Sequence, residues 1–183
     1  AKPFAGLEWE VARRVIHATA DFEYADLLRS TPGAVRAGVD ALKRGATVIT
    51  DTEMARSAIP ARRLQPLGCE TRCLMNDPEV ARLAKEQGTT RAAIAVQALG
   101  HEIAGSFMVI GNAPTALITL LEALDNGTAP PALIVGMPVG FVNAAESKEI
   151  LLRRDDLSYI TVKGRKGGTP AAAATVNALA EMA

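Results

Sequence analysis

Aromatic side chains are scarce, 4% of 183 residues, against 34 alanines. That balance disfavours an aromatic-rich β-sandwich and favours closely packed helices. Neither sign of charge is in excess: 20 Lys and Arg face 20 Asp and Glu, with no block of like charge long enough to track a phosphate backbone. General nucleic-acid binding is disfavoured on that ground. Long hydrophobic runs are missing, and the N-terminus lacks the basic-then-apolar pattern of a secretion signal. The sequence therefore reads as soluble and cytoplasmic, with no membrane segment. Cysteines number two, Cys69 and Cys73. Read as lying on one strand they sit ~13 Å apart at ~3.3 Å per residue, beyond the ~7 Å that a disulfide spans between Cα atoms. They are read as reduced and packed, and with only two histidines in the chain no metal site is expected.

Several catalytic signatures are also missing. No GxGxxG follows the first strand and no GxxxxGK[ST] occurs, which removes dinucleotide and phosphate-loop chemistry. There is no GxSxG elbow, no HExxH and no workable Ser/His/Asp order. No cofactor is expected.

What is present is alternation. Five short runs rich in Val, Ile or Leu, each followed by Gly, Pro, Asn or Asp, read as buried parallel strands: Ala46 to Thr50, Cys69 to Met75, Ser106 to Ile110, Ala132 to Gly136 and Tyr159 to Val162. Helical patterns lie around them, at Leu7 to Thr19, Pro32 to Lys43, Pro78 to Glu86, Thr90 to Ile103, Ala113 to Asp125, Ala144 to Arg153 and Pro170 to Met182. Right-handed crossovers then give an α/β fold, a three-layer doubly wound parallel sheet of five strands in the flavodoxin-like order 2-1-3-4-5. Nothing in the sequence divides the chain, so residues 1–183 are expected to form a single domain.

In such a sheet ligands bind beyond the carboxyl ends of the strands. The loops there carry Asp51 to Met54, Gly111 to Thr115, Met137 to Asn143 and Lys163 to Thr169. Three are rich in Gly, Pro and small polar residues, and each opens a helix, whose unpaired N–H groups and partial positive charge suit an anion. The same residues also read as ordinary tight turns capped by Asn112, Asn143 and Thr169. Of the histidines, His17 shares a helix face with Arg14 three residues earlier, which would set a proton donor beside an anion anchor. A lone histidine near a helix end serves equally as a surface or capping residue. His101 precedes the third strand, toward the wrong end of the sheet, and reads as structural.

The strings IHATADFEYADLL (Ile16 to Leu28), DTEMA (Asp51 to Ala55), TTRAA (Thr89 to Ala93), IGNAPTAL (Ile110 to Leu117), GMPVGFVNAAESKE (Gly136 to Glu149) and VKGRKGG (Val162 to Gly168) together resemble the precorrin-8X methylmutase family. The resemblance covers nearly the whole chain. It implies a flavodoxin-like homodimer of corrin synthesis acting on a tetrapyrrole. The methyl group on C11 of precorrin-8 or cobalt-precorrin-8 would move to C12, giving hydrogenobyrinate or cobyrinate. By the same resemblance His17 is the catalytic histidine and Arg14 and Arg91 contact substrate. Further substrate contacts are expected from Asn112, Thr115, Gly140, Arg165, Lys166, Gly167 and Gly168. Two departures stand out, Ala20 and Asn143, where the family pattern has glycine. A leading family helix is also expected to be absent ahead of residue 1. An intramolecular methyl shift consumes no donor and moves no electrons, in keeping with the missing nucleotide motifs. Two other readings stay open at this point: a non-catalytic corrinoid-binding or carrier module on the same fold, and an unrelated module for a phosphorylated ligand.

Overall fold

The computed structural model describes residues 4–183; residues 1–3 of the expected domain lie outside them. In chain order the elements are α1 (Gly6–Thr19), α2 (Tyr24–Leu27), β1 (Leu28–Ser30), α3 (Ala34–Lys43), β2 (Val48–Thr50), α4 (Glu53–Ser57), α5 (Ala61–Leu64) and β3 (Thr71–Arg72). They continue with α6 (Pro78–Glu86), α7 (Arg91–Leu99), β4 (Phe107–Ile110), α8 (Pro114–Asp125), β5 (Leu133–Gly136), α9 (Ala144–Leu152), β6 (Tyr159–Val162) and α10 (Thr169–Met182).

The sheet differs from the expected one. It has six strands in the order β1-β6-β5-β4-β2-β3, and it is mixed, because β1 pairs antiparallel with β6 through Leu28 and Val162. The other five are parallel to their neighbours. Three residues straight after a one-turn helix are too few to show an alternating pattern, so β1 is silent in the sequence. The stretch read as a strand over Cys69 to Met75 shrinks to Thr71–Arg72, leaving Cys69 before it and Cys73 after it, both as free thiols.

Period-two burial divides the core. Phe107, Val109, Leu133, Val135 and Ile160 face α1, α3 and α10, while Met108, Ile110, Ile134 and Tyr159 face α7, α8 and α9. The alanine run Ala171–Ala174 is buried in α10, which packs more extensively on α1 than any other two elements pack together. Small side chains let those two helix backbones come close. Helix α10 starts where β6 ends and α1 runs antiparallel beside it, so the C-terminal turn of α1 arrives at the carboxyl edge of the sheet. That is how a histidine from the first helix reaches the loops that follow the strands. Among the described residues no helix is long and apolar enough to cross a membrane.

Candidate active site

His17 is exposed in the last turn of α1. It shares an open cleft of about 240 Å³ with Arg14, Ala18, Ala58, Pro170, Ala173, Ala174 and Asn177. Asn177 donates from Nδ2 to the Ala58 carbonyl at 3.2 Å, while its Oδ1 is buried and accepts nothing. Around this edge stands a rim of large apolar side chains left in solvent: Phe22 (84% exposed), Met54 (71%), Phe141 (86%) and Val142 (76%). All four follow a strand's carboxyl end or the end of α1. An apolar rim of this kind suits a broad and partly apolar ligand.

Arg14 lies in the cleft, but its guanidinium pairs with Glu181 of α10, which Arg63 also binds, at 2.5 Å. Arg63 first and Arg14 with it hold the Glu181 carboxyl below its ordinary range. Lys166 is likewise engaged, with Asp21 at 2.5 Å and Glu23 at 2.7 Å, so the loop leaving α1 is tied to the loop leaving β6. The Lys166 ammonium keeps the Asp21 carboxyl low in turn.

The loop from Gly111 to Thr115 works differently from expectation. Its amides do not await a ligand: the Asp51 carboxylate accepts from the N–H groups of Gly111 (3.2 Å), Asn112 (2.7 Å) and Ala113 (2.8 Å). Burial pushes the Asp51 carboxyl up, against the downward pull of those amides. The chain supplies its own anion to the start of α8. Gly111 is also explained internally, since a Cβ there would stand 3.1 Å from the Thr169 Cα. Thr115 accepts from the Thr90 hydroxyl at 3.0 Å, and Thr90 caps α7, placing Arg91 and Thr115 side by side at the starts of α7 and α8. That group belongs to the sheet face opposite α1, and none of its members lines the His17 cleft.

The loop after β6 is held by its carbonyls. Gly140 donates its N–H to the Arg165 carbonyl at 3.2 Å, Lys148 its Nζ to the Lys166 carbonyl at 2.5 Å, and Tyr24 its hydroxyl to the Gly167 carbonyl at 3.1 Å. The Gly168 N–H donates to the Met137 carbonyl at 2.8 Å. Gly167 is needed because a Cβ would fall 2.3 Å from that same Met137 oxygen. Gly167 is thus required by the close approach of the protein's own backbone.

Sequence reasoning passed over Asp51 and Lys148 as site residues. Lys148 left a signal, because Ala144, Ser147, Lys148 and Leu151 are the buried stripe of α9, at the i, i+3, i+4, i+7 spacing of an apolar face. Asp51 is the charged residue directly after the buried strand Val48–Thr50, a weaker signal. Arg165 and Arg91 are both exposed.

The precorrin-8X methylmutase family model matches residues 1–182. The chain belongs to this family. It is 48% identical over 172 residues to the precorrin-8X methylmutase of Pseudomonas aeruginosa, covering 93% of this chain and 82% of that protein. It is 43% identical over 183 residues to the cobalt-precorrin-8 methylmutase of Leptospira interrogans, covering 96% and 83%. The crystal structure of the precorrin-8x methyl mutase from Thermus thermophilus superposes with a TM-score of 0.90 at 41% identity, over 98% of this chain and 87% of that one. Members of this family are isomerases of cobalamin biosynthesis, so an enzyme fits the site better than a carrier does.

Proposed function

We propose that the chain moves a methyl group from C11 to C12 of precorrin-8 or cobalt-precorrin-8, and that His17 is the proton donor. The observation that carries this reading is the exposed imidazole at the mouth of the cleft, beside an apolar rim, in a chain of the methylmutase family. Imidazole exchanges protons near neutral pH, so it can protonate the ring C nitrogen and take the proton back. Protonation draws electrons from that ring, which favours methyl migration, and the conjugated corrin forms when the proton leaves. A cleft of about 240 Å³ takes only one edge of a tetrapyrrole, so the rest of the ring lies over Phe22, Met54, Phe141 and Val142. Its peripheral carboxylates dock on Arg14, Arg165 and Lys166 and the amides of the Gly167 loop, with Arg91 and Thr115 meeting the far side.

Arg14 and Lys166 are already paired with carboxylates, so a substrate carboxylate takes the place of Glu181 or joins Lys166. Asn112 serves through its side chain rather than through its amide, which Asp51 occupies. Gly140 and Gly168 shape the loops. The reading includes a cytoplasmic homodimer formed from one domain per chain. The strands β3-β2-β4-β5-β6 support a flavodoxin-like sheet with β1 added at one edge.

The experiment is the absorbance spectrum during incubation with precorrin-8 and, separately, with cobalt-precorrin-8, for the wild type and His17→Ala. Turnover by the wild type and a loss of ~10²-fold or more in the variant, with ring binding retained, are expected. Equal turnover by the variant overturns the role of His17, and binding without turnover by the wild type favours the carrier reading.

A further inference from the structure

Lys148 is 0% exposed, and a lysine in the interior is costly unless its ammonium has work to do. No carboxylate pairs with it among the described residues. Its one hydrogen bond there is to the Lys166 carbonyl, which leaves two of its three protons without a protein acceptor. A leucine or methionine would fill the same place on the buried stripe of α9 at no electrostatic cost, so packing does not explain the charge.

What the ammonium holds is the backbone of the loop after β6. The peptide bond is planar and every one described is trans, so an amide N–H points opposite to the carbonyl of the preceding residue. Lys148 holds the Lys166 carbonyl inward and therefore turns the Gly167 N–H away from the core. Gly140 does the same for the N–H of Lys166 by holding the Arg165 carbonyl. Neither of these two amides has a hydrogen-bond acceptor among the described residues. They are adjacent donors at the carboxyl edge of the sheet, half-buried, on the loop tied to the C-terminal end of the His17 helix through Lys166, Asp21 and Glu23. A cation bonded to an amide oxygen also draws charge from that amide and makes its N–H a stronger donor.

We propose that Lys148 is a positioning residue: its buried ammonium pins the Lys166 carbonyl and so presents the amides of Lys166 and Gly167 to a carboxylate of the ring substrate. The inference rests on the functional reading above and adds to it the group that prepares this carboxylate subsite from behind. Asp21 and Glu23 stand near the loop with the Lys166 ammonium bridging both, and the buried Lys148 ammonium offsets the one negative charge that this cluster leaves over.

The test compares wild type, Lys148→Met and Lys148→Gln by titration with hydrogenobyrinate and with the same ring carrying amides in place of its peripheral carboxylates. Turnover kinetics on precorrin-8 are measured alongside. Lys148→Met is expected to weaken binding of the carboxylate form about tenfold, in line with loss of a charge-assisted contact, and to bind the amidated ring within about twofold of wild type. Lys148→Gln keeps a neutral donor for the Lys166 carbonyl and is expected to fall between the two. The loss should appear in KM, with kcat falling far less, because His17 is untouched. A merely structural lysine would weaken both rings alike, and that result overturns the proposal, as does equal binding of the carboxylate form by all three proteins. Should Lys148→Met fail to fold, Lys148→Gln carries the same comparison. Wild type that binds neither ring brings down the functional reading as well, which separates the two failures.

Discussion

The loops Gly111–Thr115 and Arg165–Thr169 look alike in sequence: each is small-residue and glycine-bearing, each follows a buried strand and each opens a helix through a proline, Pro114 or Pro170. Their wiring is opposite. In the first, three amides converge on the Asp51 carboxylate. In the second, three successive carbonyls are held by Gly140, Lys148 and Tyr24, and the amides of Lys166 and Gly167 are left over. An amide-rich helix opening is an anion site only if the chain has not already provided the anion. One loop is a closed internal contact, and the other is set up to receive something.

The sharpest way to break that contrast is to remove the internal anion. Asp51→Ala orphans three amides that are buried or partly buried and should cost on the order of 4 kcal/mol in chemical denaturation. If the first loop then behaves as an anion site, added formate will restore part of the loss in a concentration-dependent manner. Stability within 1 kcal/mol of wild type would mean the carboxylate is not what holds the loop. Asp51→Asn keeps one acceptor oxygen and is expected to lose less.

The opposite charge, the Lys148 ammonium that α9 sets against the second loop, should show in the pH dependence of stability. Burial lowers Lys148 from 10.5 to about 8, so between those values the unfolded chain binds a proton that the folded chain does not. Stability therefore rises with pH through this window, and below about pH 8 the lysine is charged in both states and adds no slope. Between pH 7 and pH 10 the wild type should gain about 2 kcal/mol relative to Lys148→Met, whose side chain does not titrate. Parallel curves for the two proteins would show that the ammonium is not desolvated as its position implies.

The smallest effects come from the backbone at the same edge. Ala20, the C-cap of α1 behind His17, has φ 52°, and Asn143, at the start of α9, has φ 59°. These are the two positions where the family resemblance leads one to expect glycine, and both adopt the left-handed conformation that glycine accepts without strain. Ala20→Gly should stabilise the fold by about 1 kcal/mol in thermal unfolding, and Asn143→Gly by less, since asparagine tolerates that region better. A destabilised Ala20→Gly would show that chain stiffness behind the histidine matters more than strain.

Local pattern was enough to locate the five parallel strands and seven main helices, because burial on both faces of a strand and on one face of a helix repeats within a few residues. The same rule exposes Lys148, whose place on the α9 stripe can be read without coordinates. The edge strand Leu28–Ser30 was not legible, since three residues carry no period and its pairing with β6 joins distant parts of the chain. Nor were the partners of the charged groups. Arg14 with Glu181, Lys166 with Asp21, and Asp51 with the amides at Asn112 are all set by which helix and loop ends meet at one sheet edge. Motif similarity could name the family. Whether a loop's amides are spent or available depends on a carboxylate or an ammonium that arrives from elsewhere in the fold, and that is decided only when the sheet assembles.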